Sequence, residues 1–196
     1  MECDIEYLAG VVKGDGTLYY NKRAREYVVE VYDRSIEFVK ILYEMLTVCG
    51  YNPHIQPYRS YYRLRVNSSA LFRLLSEKIE ALLRAPSIPF VRGLYDAEGT
   101  LYFDRRKKKP YPIVELGNKD YRVIEAVMTV LRSLGVSYRV KTYSGLFYKV
   151  VTRGSNAVLL LRALRPLHPV KFPPFFALPR LNPSTPPPKP AHQRGT

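Results

Sequence analysis

The sequence predicts an α+β fold of two pseudo-symmetric units, each ordered helix, hairpin, helix, hairpin, helix. Three observations predict it. The segment YLAGVVKGDGTLYY at 7–20 returns as FVRGLYDAEGTLYF at 90–103. Later positions keep the match: Val29-Glu30-Val31 with Val114-Glu115-Leu116, Asp33-Arg34 with Asn118-Lys119, and Cys49-Gly50 with Leu134-Gly135. The offset drifts only from 83 (Gly10 to Gly93) to 85 (Val29 to Val114), so one small loop insertion accounts for it. Finally, apolar spacing alternates between helical and strand periods in the same order in both halves.

In the first unit a helix starts after Asp4, a suitable N-cap, and ends at Gly16, read as a left-handed C-cap. Strands follow near 17–22 and 26–33, around the basic turn Asn21-Lys22-Arg23-Ala24-Arg25. Residues 35–49 carry helical spacing through Ile36, Val39, Leu42, Tyr43 and Leu46. Short strands near 54–58 and 61–67 precede a helix over 69–84. Alternation in 61–67 puts Arg63, Arg65 and Asn67 on one face and Tyr62, Leu64 and Val66 on the other.

The second unit repeats the plan. A helix spans 88–98, and strands near 100–106 and 111–117 flank the turn Arg105-Arg106-Lys107-Lys108-Lys109. A helix over 120–134, strands near 137–143 and 146–152, and a helix over 155–164 complete it. The predicted organisation is therefore a first repeat at 1–84, a linker at 85–89, a second repeat at 90–165 and a Pro-rich extension at 166–196. The linker is too short to let the repeats separate freely. Prolines mark 186–196 as a disordered tail, while 172–178 is apolar enough to dock on the domain.

Composition narrows the partners. Of 196 residues, 46% are hydrophobic, enough for a sizeable core, and 31 Lys+Arg against 17 Asp+Glu leave a formal charge of +14. Such a surplus points to a polyanion, because each cation set against a phosphate releases a condensed counterion. Nucleic acid is the first candidate. A membrane partner is not expected, since no apolar run reaches the roughly 18 residues that span a bilayer. Cys3 and Cys49 are too few for a zinc cluster or a disulfide framework, and are read as reduced in an intracellular protein.

The repeated helices carry small residues four apart, Gly10 and Gly14 in one, Gly93 and Ala97 in the other. That spacing lets two helices pack backbone to backbone. Their C-terminal ends would then bring Asp15 and Glu98 together. Two neighbouring acids at negative helix ends repel each other, and a divalent cation resolves the conflict. Oxygen ligands favour magnesium, which also engages phosphate.

These segments resemble the paired motifs of the LAGLIDADG homing endonucleases in their single-chain, two-repeat form. Leu8 to Gly16 and Val91 to Gly99 carry the likeness, which extends over about residues 4–165. The family's final acidic position falls on Asp15 and Glu98. Lys13 departs from the motif, which has an acid there; Asp96 keeps it, and a Lys13–Asp96 contact could bridge the helix pair. The resemblance implies four-stranded antiparallel saddle sheets along the major groove, with the two acids reaching the minor groove. It implies metal-dependent hydrolysis of both strands, with Mg2+ (Mn2+ substituting) as cofactor and short 3′ overhangs as product. It further implies polar residues around the attacking water, for which Asp33, Arg34, Asn118 and Lys119 stand in the matching places. Asp33 and Asn118 also suit helix N-capping.

The expected partner is double-stranded DNA with a long asymmetric site, bound by a monomer. His54, Gln56, Arg63, Arg65 and Asn67 in the first unit, with Arg139, Lys141 and Lys149 in the second, alternate as sheet-face readers should. The turns holding Lys22, Arg23 and Arg25, and Arg105 to Lys109, are assigned to the phosphate backbone. An intron maturase binding intron RNA is the alternative on the same scaffold. The expected location is cytoplasm or nucleoid in a prokaryote, an organelle otherwise.

Overall fold

Asp4 starts the first helix: its carboxylate accepts from the Tyr7 amide at 2.9 Å, which satisfies one of the donors a helix start leaves free. The structure, a computed structural model, describes residues 2–106 and 111–171. In chain order they form α1 (Ile5–Asp15), β1 (Gly16–Asn21), β2 (Glu26–Asp33), α2 (Ile36–Val48), β3 (His54–Tyr58), β4 (Tyr61–Asn67) and α3 (Ser69–Arg84). The second unit follows as α4 (Ile88–Glu98), β5 (Gly99–Asp104), β6 (Tyr111–Asn118), α5 (Tyr121–Ser133), β7 (Arg139–Tyr143), β8 (Phe147–Arg153) and α6 (Ser155–Leu164).

Each unit holds one four-stranded antiparallel sheet, ordered β1-β2-β4-β3 and β5-β6-β8-β7. One face of each sheet carries Val29, Val31, Leu64 and Val66, or Val114, Leu116 and Val150, into an apolar core shared with the helices. Burial of that face sets the register, because a slip by one residue would turn the apolar set to water. The opposite faces, alternate residues along the same strands, are left free of helices.

The two units join through α1 and α4. A methyl group on Gly10 would land on the Phe90 carbonyl and within 3.0 Å of Gly93 Cα. One on Gly93 would meet the Tyr7 carbonyl and sit 2.8 Å from the Val11 amide. The contact is therefore backbone against backbone, with near-twofold symmetry, and glycine at both places is a steric requirement.

Two local expectations need correction. Gly16 is extended (φ −105°, ψ 173°) rather than left-handed, because α1 passes straight into β1 without a turn. Its lack of a side chain is still needed, since a Cβ would lie 2.6 Å from Val12 Cα. Cys3 and Cys49 are bonded to each other, Cα atoms 5.0 Å apart, which overturns their reading as reduced thiols. Their 46-residue separation hides the pairing: it arises because the start of α1 lies against the end of α2. The cysteines consequently carry no argument for a reducing compartment. Among the described residues no helix is long and apolar enough to cross a membrane.

Candidate active site

Asp15 ends α1 and Glu98 ends α4, so the glycine contact between those helices sets the two acids at one seam between the units. Burial pushes the Asp15 carboxyl up, against the pull of Lys171. Glu98 is pushed up to about 7 by burial and then by the Asp15 charge, again opposed by Lys171. Electrostatic conflict of this kind is what an oxygen-bound cation relieves.

The residues expected around the acids divide. Asn118 lies close, its Nδ2 3.4 Å from Glu98 Oε1. Asp33 takes the matching place in the first unit. Neither is an N-cap: Ser35 and Asp120 cap α2 and α5, while Asp33 and Asn118 accept from the amides of those cap residues at 2.6 and 2.8 Å. Arg34 turns to Tyr61, its guanidinium 5.1 Å from the ring centre, and Lys119 is exposed. The Lys13–Asp96 contact does not form. Lys13 lies near the end of α1 and reaches across to Asp120 at 2.9 Å, whereas Asp96 is fully buried and accepts from Tyr7 Oη at 2.8 Å.

Sequence reasoning missed two residues of the centre, His168 and Lys171. Both lie on residues 165–171, which fold back over α4. The Leu167 amide donates to Asp96 Oδ2 at 2.8 Å, and Tyr95 Oη donates to the Lys171 carbonyl at 3.2 Å. His168 packs on Phe38 with ring centres 4.5 Å apart, and its Nε2 lies 3.4 Å from Asp33 Oδ2. The Val170 amide donates to Nδ1, which puts the proton on Nε2 facing Asp33. Burial alone would raise Asp33, but His168 and the Ser35 amide outweigh it and hold the carboxyl below its usual range. Lys171 Nζ donates to the carbonyls of Asp96, at 2.6 Å, and Ala97. A cavity of about 490 Å³ opens beside it, with Asp15, Asp33, Arg34, His168 and Lys171 in its wall. No repeat motif covers this segment, so nothing in the sequence pattern pointed to it.

The open sheet faces carry the expected basic residues. Antiparallel partners share a face, and His54 pairs with Arg65 and Gln56 with Arg63, opposite the core-facing Leu64 and Val66. Asn67 follows on the same side. In the second unit Arg139, Lys141 and Lys149 share a face with Arg153, which the sequence reading left out. Lys22, Arg23 and Arg25 are exposed on the β1–β2 turn, as are Arg105 and Arg106 on the next. Lys107, Lys108 and Lys109 lie outside the described residues, as does the 172–178 stretch.

At the middle of each open face sits an acid to which the sequence reading gave no role. Glu30 is only 4% exposed and lies 3.5 Å from an Arg63 nitrogen and 3.6 Å from one of Arg65. It accepts from Tyr32 Oη at 2.7 Å and Tyr19 Oη at 3.2 Å. Glu115, its counterpart, accepts from Lys149 at 3.0 Å and Tyr102 at 2.9 Å. These carboxylates hold the long cations in fixed positions on the sheet.

Comparisons with known proteins agree with this geometry. The family model for a LAGLIDADG-like domain matches twice, at residues 2–80 and 86–164. Two uncharacterized proteins of Methanocaldococcus jannaschii are 28% identical over 141 residues and 24% over 149, covering 68% and 69% of this chain. The chain spans 49% and 56% of their length, about half of each. The homing endonuclease I-DmoI of Desulfurococcus mucosus is 30% identical over 143 residues, 66% of this chain and 70% of that protein. Among solved structures, I-DmoI in complex with DNA and Ca superposes with a TM-score of 0.67 at 24% identity, covering 88% of this chain and 94% of that one. I-SmaMI bound to an uncleaved DNA target with calcium ions gives 0.57 at 12%, covering 84% and 85%. At these identities the superpositions establish the fold.

Proposed function

The chain belongs to the LAGLIDADG family, with two repeats in one polypeptide, and from that premise we propose that it is a site-specific double-strand DNA endonuclease. One observation carries the reading: the two acids that end the packed helices sit at the seam between two basic sheet faces. The likeness to I-DmoI, named as a homing endonuclease, supports DNA as the substrate. The paired carboxylates support cleavage over binding alone. The comparisons offer no support for an intron-RNA partner. A DNA substrate places the protein inside the cell in this reading.

A divalent metal fits the residues present. Asp15 and Glu98 provide anionic oxygens, and the carbonyls at the end of α4 provide neutral ones. Lys171 Nζ already donates to those carbonyls, and the neighbouring acids offset in part the burial that lowers its pKa. Among the described residues no group of three or more His, Cys, Asp or Glu side chains clusters as a ligand set. Two carboxylates with neighbouring carbonyls suit magnesium, which uses one or two carboxylates and completes its shell with water and phosphate. When bound, the metal supplies Lewis-acid charge to the phosphodiester and acidity to the attacking water.

The chain's own residues do the rest. Asp15 and Glu98 would hold the cation, one from each unit, so that each strand of the duplex meets its own carboxylate. Asn118 orients Glu98 through the 3.4 Å contact. Asp33, kept ionised by His168, is placed to accept a hydrogen bond from water entering the cavity it lines. Arg34 and Lys119 face solvent at matching places, available to phosphate. The sheet faces would lie along the major groove and the two acids would meet the minor groove, leaving short 3′ overhangs. Arg63, Arg65, Lys149 and their neighbours would read bases, and the Lys22–Arg25 and Arg105–Lys109 turns would hold phosphates.

Cleavage selection from a randomised duplex library in magnesium tests this reading. A long, asymmetric recovered site with 3′ overhangs is expected. Recovery of no cleaved duplex with either magnesium or manganese would overturn it.

A further inference from the structure

We infer that Lys171 is a built-in cation of the catalytic centre, holding the place of the divalent metal until it is displaced. The inference rests on the reading of Asp15 and Glu98 as metal ligands and adds what controls access to them.

The geometry begins at the end of α6. Arg165 takes a left-handed conformation (φ 49°, ψ 61°), which reverses the chain and sends residues 166–171 back along α4. Contacts from both repeats then fix the segment. Asp96 and Tyr95 of the second repeat bind its backbone, and Asp33 and Phe38 of the first hold His168. Its last described residue enters the centre. Lys171 donates to the carbonyls of Asp96 and Ala97, which precede Glu98 on the chain. The last carbonyls of a helix lack intrahelical partners and carry its negative end, so a cation there is doubly favoured.

Lys171 and a metal cannot share that place. Both would draw on the α4 carbonyls beside the two acids, and two like charges without water between them repel strongly. One ammonium also leaves two neighbouring carboxylates undercompensated, whereas a divalent ion balances both. Metal should therefore win at sufficient concentration, with the side chain leaving through the adjoining cavity. A purely catalytic lysine would turn its hydrogens toward that cavity. Here two of the three are committed to helix carbonyls.

Manganese titration of the full chain without DNA, by calorimetry and by the spin resonance of free ion, tests this. Lys171→Met should tighten Mn2+ binding about tenfold, the factor expected if Lys171 closes the centre about nine-tenths of the time. Asp15→Asn should abolish the same binding event. Tyr95→Phe, which loosens the segment but keeps the lysine, should tighten binding by less. Tryptic cleavage after Lys171 in the wild-type chain should speed up when Mn2+ is added, because displacement frees the side chain that trypsin must engage. Unchanged or weaker Mn2+ binding in Lys171→Met, with Asp15→Asn still abolishing it, would overturn the inference. So would protection of Lys171 from trypsin by the metal. If Lys171→Met does not fold, Tyr95→Phe and the proteolysis decide. Binding that survives Asp15→Asn would instead remove the metal-centre reading itself.

Discussion

At Glu98 the folded state holds a proton more tightly than the unfolded chain does. Its carboxyl is pushed up to about 7 from the ordinary 4.5. A raised acid contributes stability that is complete below about 4.5 and lost as pH rises through about 7, because the fold binds the extra proton across that window. Asp15 shifts in the same direction, while Asp33 shifts the other way. Thermal unfolding of the metal-free protein should therefore show falling stability from pH 5 to 8, and Glu98→Gln should flatten the slope. Divalent metal needs the ionised acids, so adding it should restore stability at the alkaline end and release protons near pH 7. A wild-type profile that rises with pH in the absence of metal would contradict this account of the site. The position of Asp15 and Glu98 at the ends of the two packed helices was legible because the repeat superimposes them. His168 and Lys171 were not, since they lie beyond the second repeat and enter the centre only through the chain reversal at Arg165.

The two motif helices and the two sheets respond to different rules. Where α1 meets α4 the backbones touch, and no side-chain rearrangement makes room for a methyl group. Gly10→Ala should cost about 3 kcal/mol or more, at or beyond the usual range for overpacking, seen as a lower midpoint in denaturant. An unchanged midpoint would refute the close contact. On the sheets, strand alternation alone separated the basic face from the apolar one, because the period of two leaves no other assignment. The acids inside the basic face were harder to see. Glu30 and Glu115 run against a net-charge argument, and their role depends on cross-strand neighbours such as Arg63, Arg65 and Lys149. Glu30→Gln should tighten binding to random-sequence duplex and steepen its salt slope by up to about one, since it frees a cation for phosphate. The same change should reduce discrimination between the selected site and single-base variants, because Arg63 and Arg65 lose their anchor. Weaker binding to both kinds of duplex would mean Glu30 serves only the fold.

Across the whole molecule, duplication within one chain predicts action as a monomer. The helix interface that would otherwise need a second copy is satisfied internally, so sedimentation of the DNA complex should find one protein chain per duplex. The open faces also differ: Arg65 is replaced by Val151 and Gln56 by Lys141 at equivalent register positions. Unlike faces should select unlike half-sites, and a perfect palindrome from the library would contradict that. The Cys3–Cys49 bond ties the first helix to the second across 46 residues. Reductant should lower stability by up to roughly 4 kcal/mol, the loop-closure value for such a span. That bond escaped the sequence reading because two cysteines without a spacing motif say nothing about which helix ends meet.

The most direct test of a centre shared between the repeats is cleavage and binding of the selected duplex by Asp15→Asn and Glu98→Gln, compared with wild type. Each substitution alone should abolish double-strand cleavage while keeping DNA affinity within about tenfold, or roughly 1.4 kcal/mol. Double-strand cleavage at the wild-type rate by either variant would contradict the assignment of one carboxylate from each repeat.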